Sequence, residues 1–264
     1  MIYLIKNKEK YLEFITDDNQ ILTMRNLLDK IENVMRNHIV ETTSFFDPYQ
    51  RRLSTSILNR FTDISYTAEG GTLDAERKVL IVYPDYMYMN NIEDYIMFLS
   101  IQGSIDKLAH KDFLGALLGL GINRDKIGDI LIHKDLVQII VKKEVGEYIL
   151  YNLKRIGKQN VEVGEISKEE LKPSEIEFKE KYVTLSSNRI DVLISNAYNL
   201  SRTNSSALVE RDKVKINWEP VNKSSMEVFE GDVISVRGYG RMILKSFEGI
   251  SKKGRIKAVI RILK

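Results

Sequence analysis

The sequence predicts an α+β chain with a helical N-terminal region, a ferredoxin-like central domain and a C-terminal αα-β module. Three observations point there. Apolar residues recur near a period of 3.6 in the opening stretch. The middle reads strand, helix, strand, strand, helix, strand, the split βαβ order. Two short helices and then basic strands close the chain. At 264 residues, two or three domains are expected.

Residues 1–75 read as mainly helical. Tyr11, Leu12, Phe14 and Ile15 are followed by Ile21, Leu22, Leu27, Leu28, Ile31 and Val34 at helical spacing. Asp47-Pro48 fits an N-cap with proline at the first helical position. Leu53, Ile57, Leu58 and Phe61 then supply one face, and Glu69-Gly70-Gly71 reads as the closing loop.

Residues 76–166 form the expected central domain. Strands are predicted over 79–83, ended by Pro84, and over 95–101. Asp112 is expected to cap a helix running to Leu120 and stopped by Gly121. The runs 129–133 and 136–141, joined by Lys134-Asp135, predict a hairpin. A helix over 144–156 and a strand over 160–163 complete the set. Residues 167–180, with many Lys and Glu and with Pro173, read as a linker. Residues 181–264 form the last module, with short helices at about 188–197 and 202–211.

Composition narrows the chemistry. There are no cysteines, so disulfides, thiolate zinc sites and cysteine nucleophiles are excluded together. Three histidines leave a nitrogen-ligated zinc site unsupported, and no cofactor is implied. No apolar run approaches the roughly 20 residues needed to span a bilayer. Lys6, Lys8 and Glu9 follow Met1-Ile2-Tyr3-Leu4, which does not read as a signal peptide, and a cytoplasmic protein is expected. The net charge of +3 hides an asymmetry. Residues 181–264 hold 16 Lys and Arg against 8 Asp and Glu, while the remainder holds 24 against 29. A basic module on a mildly acidic body points to a polyanionic partner.

The basic module has a recognisable layout. Ile190, Leu193 and Ile194 face inward on the first helix, with Arg189 and Asp191 facing elsewhere. Ser201 is a natural N-cap for the second helix and puts Arg202 in its first turn, where backbone N–H groups favour a phosphate. Lys213, Lys215 and Asn217 lie on or beside a strand. Gly231-Asp232 then leads through an apolar strand to Arg237-Gly238-Tyr239-Gly240-Arg241, and Lys245 follows. Glycines let the backbone approach a partner closely, and arginines flank that approach. Tyr239 either stacks on an unpaired base or packs on its own sheet.

These residues resemble the S-four RNA-binding domain over about 182–245. Ile190 stands where that domain commonly has Leu, and Glu210-Arg211-Asp212-Lys213 where it often has a glycine. Upstream, the run from Leu108 through His110 and Asp112 to Arg124, with Gly128-Asp129-Ile130, Phe46-Asp47-Pro48 and Ala75-Glu76-Arg77-Lys78, resembles the YlmH family. That resemblance spans essentially the whole chain. It implies a central RNA-recognition-like domain, and binding to ribosomal RNA and tRNA on the large ribosomal subunit. It further implies clearance of stalled peptidyl-tRNA complexes, and a gene position near cell-division genes.

Lys111, Arg124 and Lys126 at the ends of the 112–120 helix are candidate secondary RNA or partner contacts. Gly115 and Gly119 share one helical face, where small residues permit close packing. His110 and Asp112 invite an acid–base reading, but no nucleophile or metal cluster accompanies them. The central strands lack an aromatic platform of the RNA-recognition kind, so this domain reads as a scaffold or partner-docking element. No catalytic residue is expected. The alternatives are an RNA-modifying enzyme targeted by its S-four domain, and a cell-division interaction protein docking partners through its N-terminal and central domains.

Overall fold

The computed structural model describes residues 5–87, 91–173 and 177–263. Met1 to Leu4, which bear on the signal-peptide reading, and Lys264 lie outside the described residues. The chain divides into two compact units, 1–175 and 176–264.

In the first unit, α1 (Asp18–Asn37) starts where the Asp17 carboxylate accepts the backbone N–H groups of Asn19 and Gln20. It buries Met24, Leu27, Leu28, Ile31 and Val34 along one stripe. Tyr11 and Leu12 lie before this cap, so the expected helix is shorter than its apolar spacing suggests. β1 (Glu41–Thr42) follows. α2 (Pro48–Leu58) has the expected start: the Asp47 side chain accepts from the Gln50 amide, and the Gln50 side chain returns to the Asp47 amide. β2 (Ile64–Glu69) and β3 (Val79–Pro84) complete a three-stranded sheet in the order β1-β3-β2. Two features differ from the sequence reading. Residues 64–69 are a strand within the region read as helical. The 79–84 strand, assigned above to the central domain, pairs with β2 and β1 instead.

The central sheet is built from β4 (Ile96–Gly103), β5 (Ile127–Ile132), β6 (Val137–Lys142), β7 (Arg155–Ile156) and β8 (Gln159–Ile166). Its order is β5-β6-β4-β8-β7, antiparallel throughout. β4 and β5 therefore run parallel with β6 between them, which is the split βαβ topology. α3 (His110–Gly119) and α4 (Lys143–Asn152) cover one face. There Phe113, Leu117 and Ile149 pack on Leu99, Ile101, Ile139 and Val141. Asp112 is not the N-cap. Ala109 holds that position, and the Asp112 carboxylate reaches back to the Ala109 amide at 2.8 Å. α4 stops at Asn152, short of the expected 156, because Arg155–Ile156 hairpins with β8 around Gly157 at φ 58°.

The other face of this sheet is covered as well. Phe98, Leu131 and Ile140 pack on Phe45, Val79 and Ile81 from the N-terminal region. With both faces closed, every residue of β6 is buried, which explains the apolar run Ile139-Ile140-Val141 in place of alternation; the buried Gln138 and Lys142 are satisfied by hydrogen bonds. A polar seam ties the layers. Asp129 accepts the amides of Glu76 at 2.7 Å and Arg77 at 3.0 Å. The Arg77 guanidinium donates to the Phe45 carbonyl at 2.6 Å and the Ile127 carbonyl at 3.1 Å. Gly128 permits this approach, since a Cβ there would meet the Phe45 ring at 2.7 Å. Burial pushes the Arg77 pKa down and the Asp129 pKa up.

The second unit is one antiparallel sheet with two helices. Its elements are β9 (Phe178–Leu185), α5 (Ile190–Tyr198), α6 (Arg202–Glu210), β10 (Val214–Ile216), β11 (Glu219–Val221), β12 (Val233–Val236), β13 (Gly240–Ile250) and β14 (Ile256–Leu263). The order is β11-β10-β12-β13-β14-β9. Ile190, Leu193, Ile194 and Val209 pack from the helices onto Val214, Ile234, Met242, Leu244 and Ile260. The linker reading of 167–180 fails at both ends. Gln138 donates to the Glu170 carbonyl and accepts the Lys172 amide, each at 2.8 Å, which docks that segment on the central sheet. Phe178 already belongs to β9, which pairs with β14 over eight residues.

Removing the Asp129 carboxylate strands two backbone amides and takes a negative charge from the neighbourhood of the buried Arg77 guanidinium. Asp129→Ala is expected to destabilise the first unit by about 2–4 kcal/mol. Urea unfolding, with the C-terminal unit followed separately, should show the destabilisation confined to the first unit.

Candidate RNA interface

The C-terminal unit builds its interface around one buried carboxylate. Asp191 sits in the first turn of α5 with its side chain 1 % exposed. Arg189, at the N-cap, makes a two-pronged contact with it: Nε to Oδ1 at 3.0 Å and Nη2 to Oδ2 at 3.1 Å. Arg202, opening α6, places Nε 3.3 Å from Oδ2. Ser206 Oγ donates to the same oxygen at 3.4 Å. Burial alone would raise the Asp191 carboxyl. The arginine hydrogen bonds and charges outweigh it and hold the group below the usual carboxylate range. Two guanidiniums share one negative charge, so the cluster keeps a net positive charge. The Arg202 side chain stays 57 % exposed, with donors left over for a phosphate.

Ser201 is the α6 N-cap, its hydroxyl oxygen accepting the Asn204 amide at 3.1 Å. α5 ends at Asn199 in the left-handed region, φ 54°. Lys181 on β9 caps that end, donating to the carbonyls of Asn196 and Ala197 and to Asn199 Oδ1.

The β12–β13 turn presents Arg237, Gly238 and Tyr239, with Gly238 at φ 89°. Arg237 is exposed and has no ion-pair partner among the described residues. Tyr239 is half-exposed, and its ring lies 5.4 Å from that of Tyr198. Tyr198 is half-buried, and desolvation pushes its phenol up to about 12. The Tyr239 ring thus packs on its own module while keeping one side open. Arg241 lies over the Trp218 ring at 5.2 Å. Lys213 and Lys215 are exposed.

Several sequence candidates turn out to be engaged elsewhere. Asn217 is a turn residue: with Trp218 it forms the two-residue β10–β11 loop, at φ 49° and 66°. Its side chain donates to Asp232 at 2.8 Å and accepts the Val233 amide at 2.9 Å. Lys245 pairs with Glu180 at 2.8 Å, and Arg261 shares that carboxylate at 3.0 Å. In the first unit, Arg124 is turned inward onto the Ile127 carbonyl at 2.5 Å. Burial, then the neighbouring Arg77, pushes it down to about 10. Lys126 pairs with Glu144 at 2.6 Å. Lys111 alone of these three stands exposed and unpaired among the described residues. Gly115 and Gly119 face open space, so no close helix packing uses them.

The candidates also divide between two sides of the module. Strand alternation sends Val214, Met242 and Leu244 to the core and Lys215 and Arg241 to the opposite face. Arg189, Ser201 and Arg202 lie at the helix ends. Sequence reasoning misses the central role of Asp191, because a helical period assigns it to the outer face. A bidentate Arg-x-Asp at a helix start is the signal that could have found it.

A helix pair opened by a carboxylate-braced guanidinium pair, set on a strand–turn–strand edge, defines an S-four RNA-binding module. The comparisons agree. The "S4 domain" model matches residues 188–234, "YlmH, N-terminal" matches 19–87, and "Putative RNA-binding domain in YlmH" matches 91–171. "Ribosome-associated protein quality control protein P2" of Bacillus subtilis (strain 168) is 31% identical over 225 residues, covering 84% of this chain and 87% of that protein. The solved structure "Cell division protein ylmH from Streptococcus pneumoniae" superposes with a TM-score of 0.52 at 22% identity, covering 60% of this chain and 97% of that one. The chain belongs to the YlmH family.

Asp191→Asn is expected to cost on the order of 2 kcal/mol of stability at pH 7. The depressed folded pKa contributes stability above the unfolded value of about 3.9 and loses it as pH falls through the folded value. The gap between wild type and variant should therefore hold down to about pH 4 and close below it. Denaturant unfolding across that pH range checks it.

Proposed function

We propose that the chain is a non-catalytic cytoplasmic factor that binds ribosomal RNA and tRNA on the large ribosomal subunit and acts in rescue of stalled peptidyl-tRNA complexes. The observation that carries the RNA reading is the Arg189–Asp191–Arg202 cluster. It fixes guanidinium donors at the start of α5 and α6, where helix N–H groups add to the attraction for phosphate. Arg237, exposed on the β12–β13 turn of the same unit, adds a further cation. The ribosomal reading is supported by the Bacillus subtilis relative, whose name places that protein in ribosome-associated quality control.

The non-catalytic reading is supported by how the acids are employed. Asp191 and Asp232 hold side chains and amides in place. Asp112, the candidate acid–base group, holds the Ala109 amide. Among the described residues no helix is long and apolar enough to cross a membrane.

The combined variant Arg202→Ala, Arg237→Ala should bind tRNA and large-subunit RNA at least tenfold more weakly while keeping its fold. Its salt dependence should flatten by roughly one unit of slope for each phosphate the variant no longer neutralises. Filter binding across a salt series is the measurement. An unchanged affinity and slope would remove the basis of this reading.

A further inference from the structure

The strand-rich side of the C-terminal unit, away from α5 and α6, holds a second group of cations. Met242, Leu244, Ala258, Ile260 and Leu185 point into the core. Their neighbours along β14 and β9 therefore point outward, among them Lys257 and Tyr182. Tyr182 is 75 % exposed, a large ring left mostly in solvent. It pairs across the ladder with Val259, so Lys257 is its diagonal neighbour on the same face. Beyond Lys257 the β13–β14 hairpin projects a tip, and Lys252, Lys253 and Arg255 on it are exposed. None of these four cations has an ion-pair partner among the described residues. Of the carboxylates alongside, Glu180 is paired with Lys245 and Arg261, and Glu248 accepts the Ser246 hydroxyl and keeps its charge.

We propose that this face binds a second stretch of RNA, an unpaired segment whose base stacks on Tyr182 while Lys257 and the hairpin tip hold its phosphates. An exposed ring beside unpaired cations is the arrangement that holds single-stranded RNA without reading its sequence. Such a use accounts for an aromatic kept in solvent, which a merely basic surface does not. The five residues lie on β9, β14 and the β13–β14 hairpin, whereas Arg189 and Arg202 stand at the starts of α5 and α6. The C-terminal unit then touches RNA on two sides and can bridge two segments. This inference rests on the RNA-binding reading above.

The test uses the full chain and a fluorescent decauridylate, an unpaired strand whose bases are free to stack. Tyr182→Ala should lower its affinity about tenfold, within the range of one base–aromatic stack, and Tyr182→Phe should restore it. K252A/K253A/R255A/K257A should flatten the salt slope by about 2–3 units. Arg202→Ala with Arg237→Ala should leave most decauridylate binding in place. Wild-type affinity in Tyr182→Ala, or a wild-type slope in the cation variant, overturns the proposal. So does a wild type that binds tRNA but no decauridylate, which leaves the primary reading standing. A wild type that binds neither RNA removes both. Loss of an acidic protein partner in Tyr182→Ala, with RNA binding intact, overturns it in favour of a protein surface. The exposure of Tyr182 keeps its variants folded, and circular dichroism verifies that.

Discussion

A single carboxylate organises the functional end of this protein. Asp191 is taken out of water at the start of α5, and a bare charge there would be costly. Two arginines and a hydroxyl answer it. The consequence runs outward. Arg189 and Arg202 are long, entropic side chains that would otherwise sample many rotamers. Held on a common anchor, they present part of their donor set in one geometry, so less freedom is given up when phosphate arrives. The acid that neutralises half of the pair is also what orients it.

The first unit is governed by a different constraint. Its middle sheet is buried on both sides, so the seam that joins it to the N-terminal layer must satisfy every backbone group it hides. Asp129 and Arg77 do this with carboxylate-to-amide and guanidinium-to-carbonyl bonds. The segments around Asp47, Arg77 and Asp129 gather at this seam, while the Leu108–Leu120 run packs on the opposite face of the sheet. The face that an RNA-recognition domain would offer to bases is occupied by Phe45, Val79 and Ile81.

Much of this is legible in the chain, and the rest is hidden for identifiable reasons. The Asp47-Pro48 cap, the 129–141 hairpin and the Ser201 cap are local signals, and local geometry fulfils them. The pairing of β3 with β2 depends on residues brought together across a loop, and no periodicity reports a partner. The start of the strand at Phe178 reads as linker because Lys179, Glu180 and Lys181 prolong the charged stretch before it; its pairing with β14 supplies the order that composition withholds. At the interface, charge alone makes Arg124, Lys126 and Lys245 look available. Geometry assigns them to a carbonyl or a carboxylate of their own unit.

The ladder between β9 and β14 joins residues 178–185 to residues 256–263. Everything between them is made before the edge can zip. On a chain emerging from N- to C-terminus, the C-terminal unit cannot close until its final strand is synthesised, and until then β13 keeps an open flank. Such a distant pairing makes for slow folding and leaves the nascent module exposed to wrong partners.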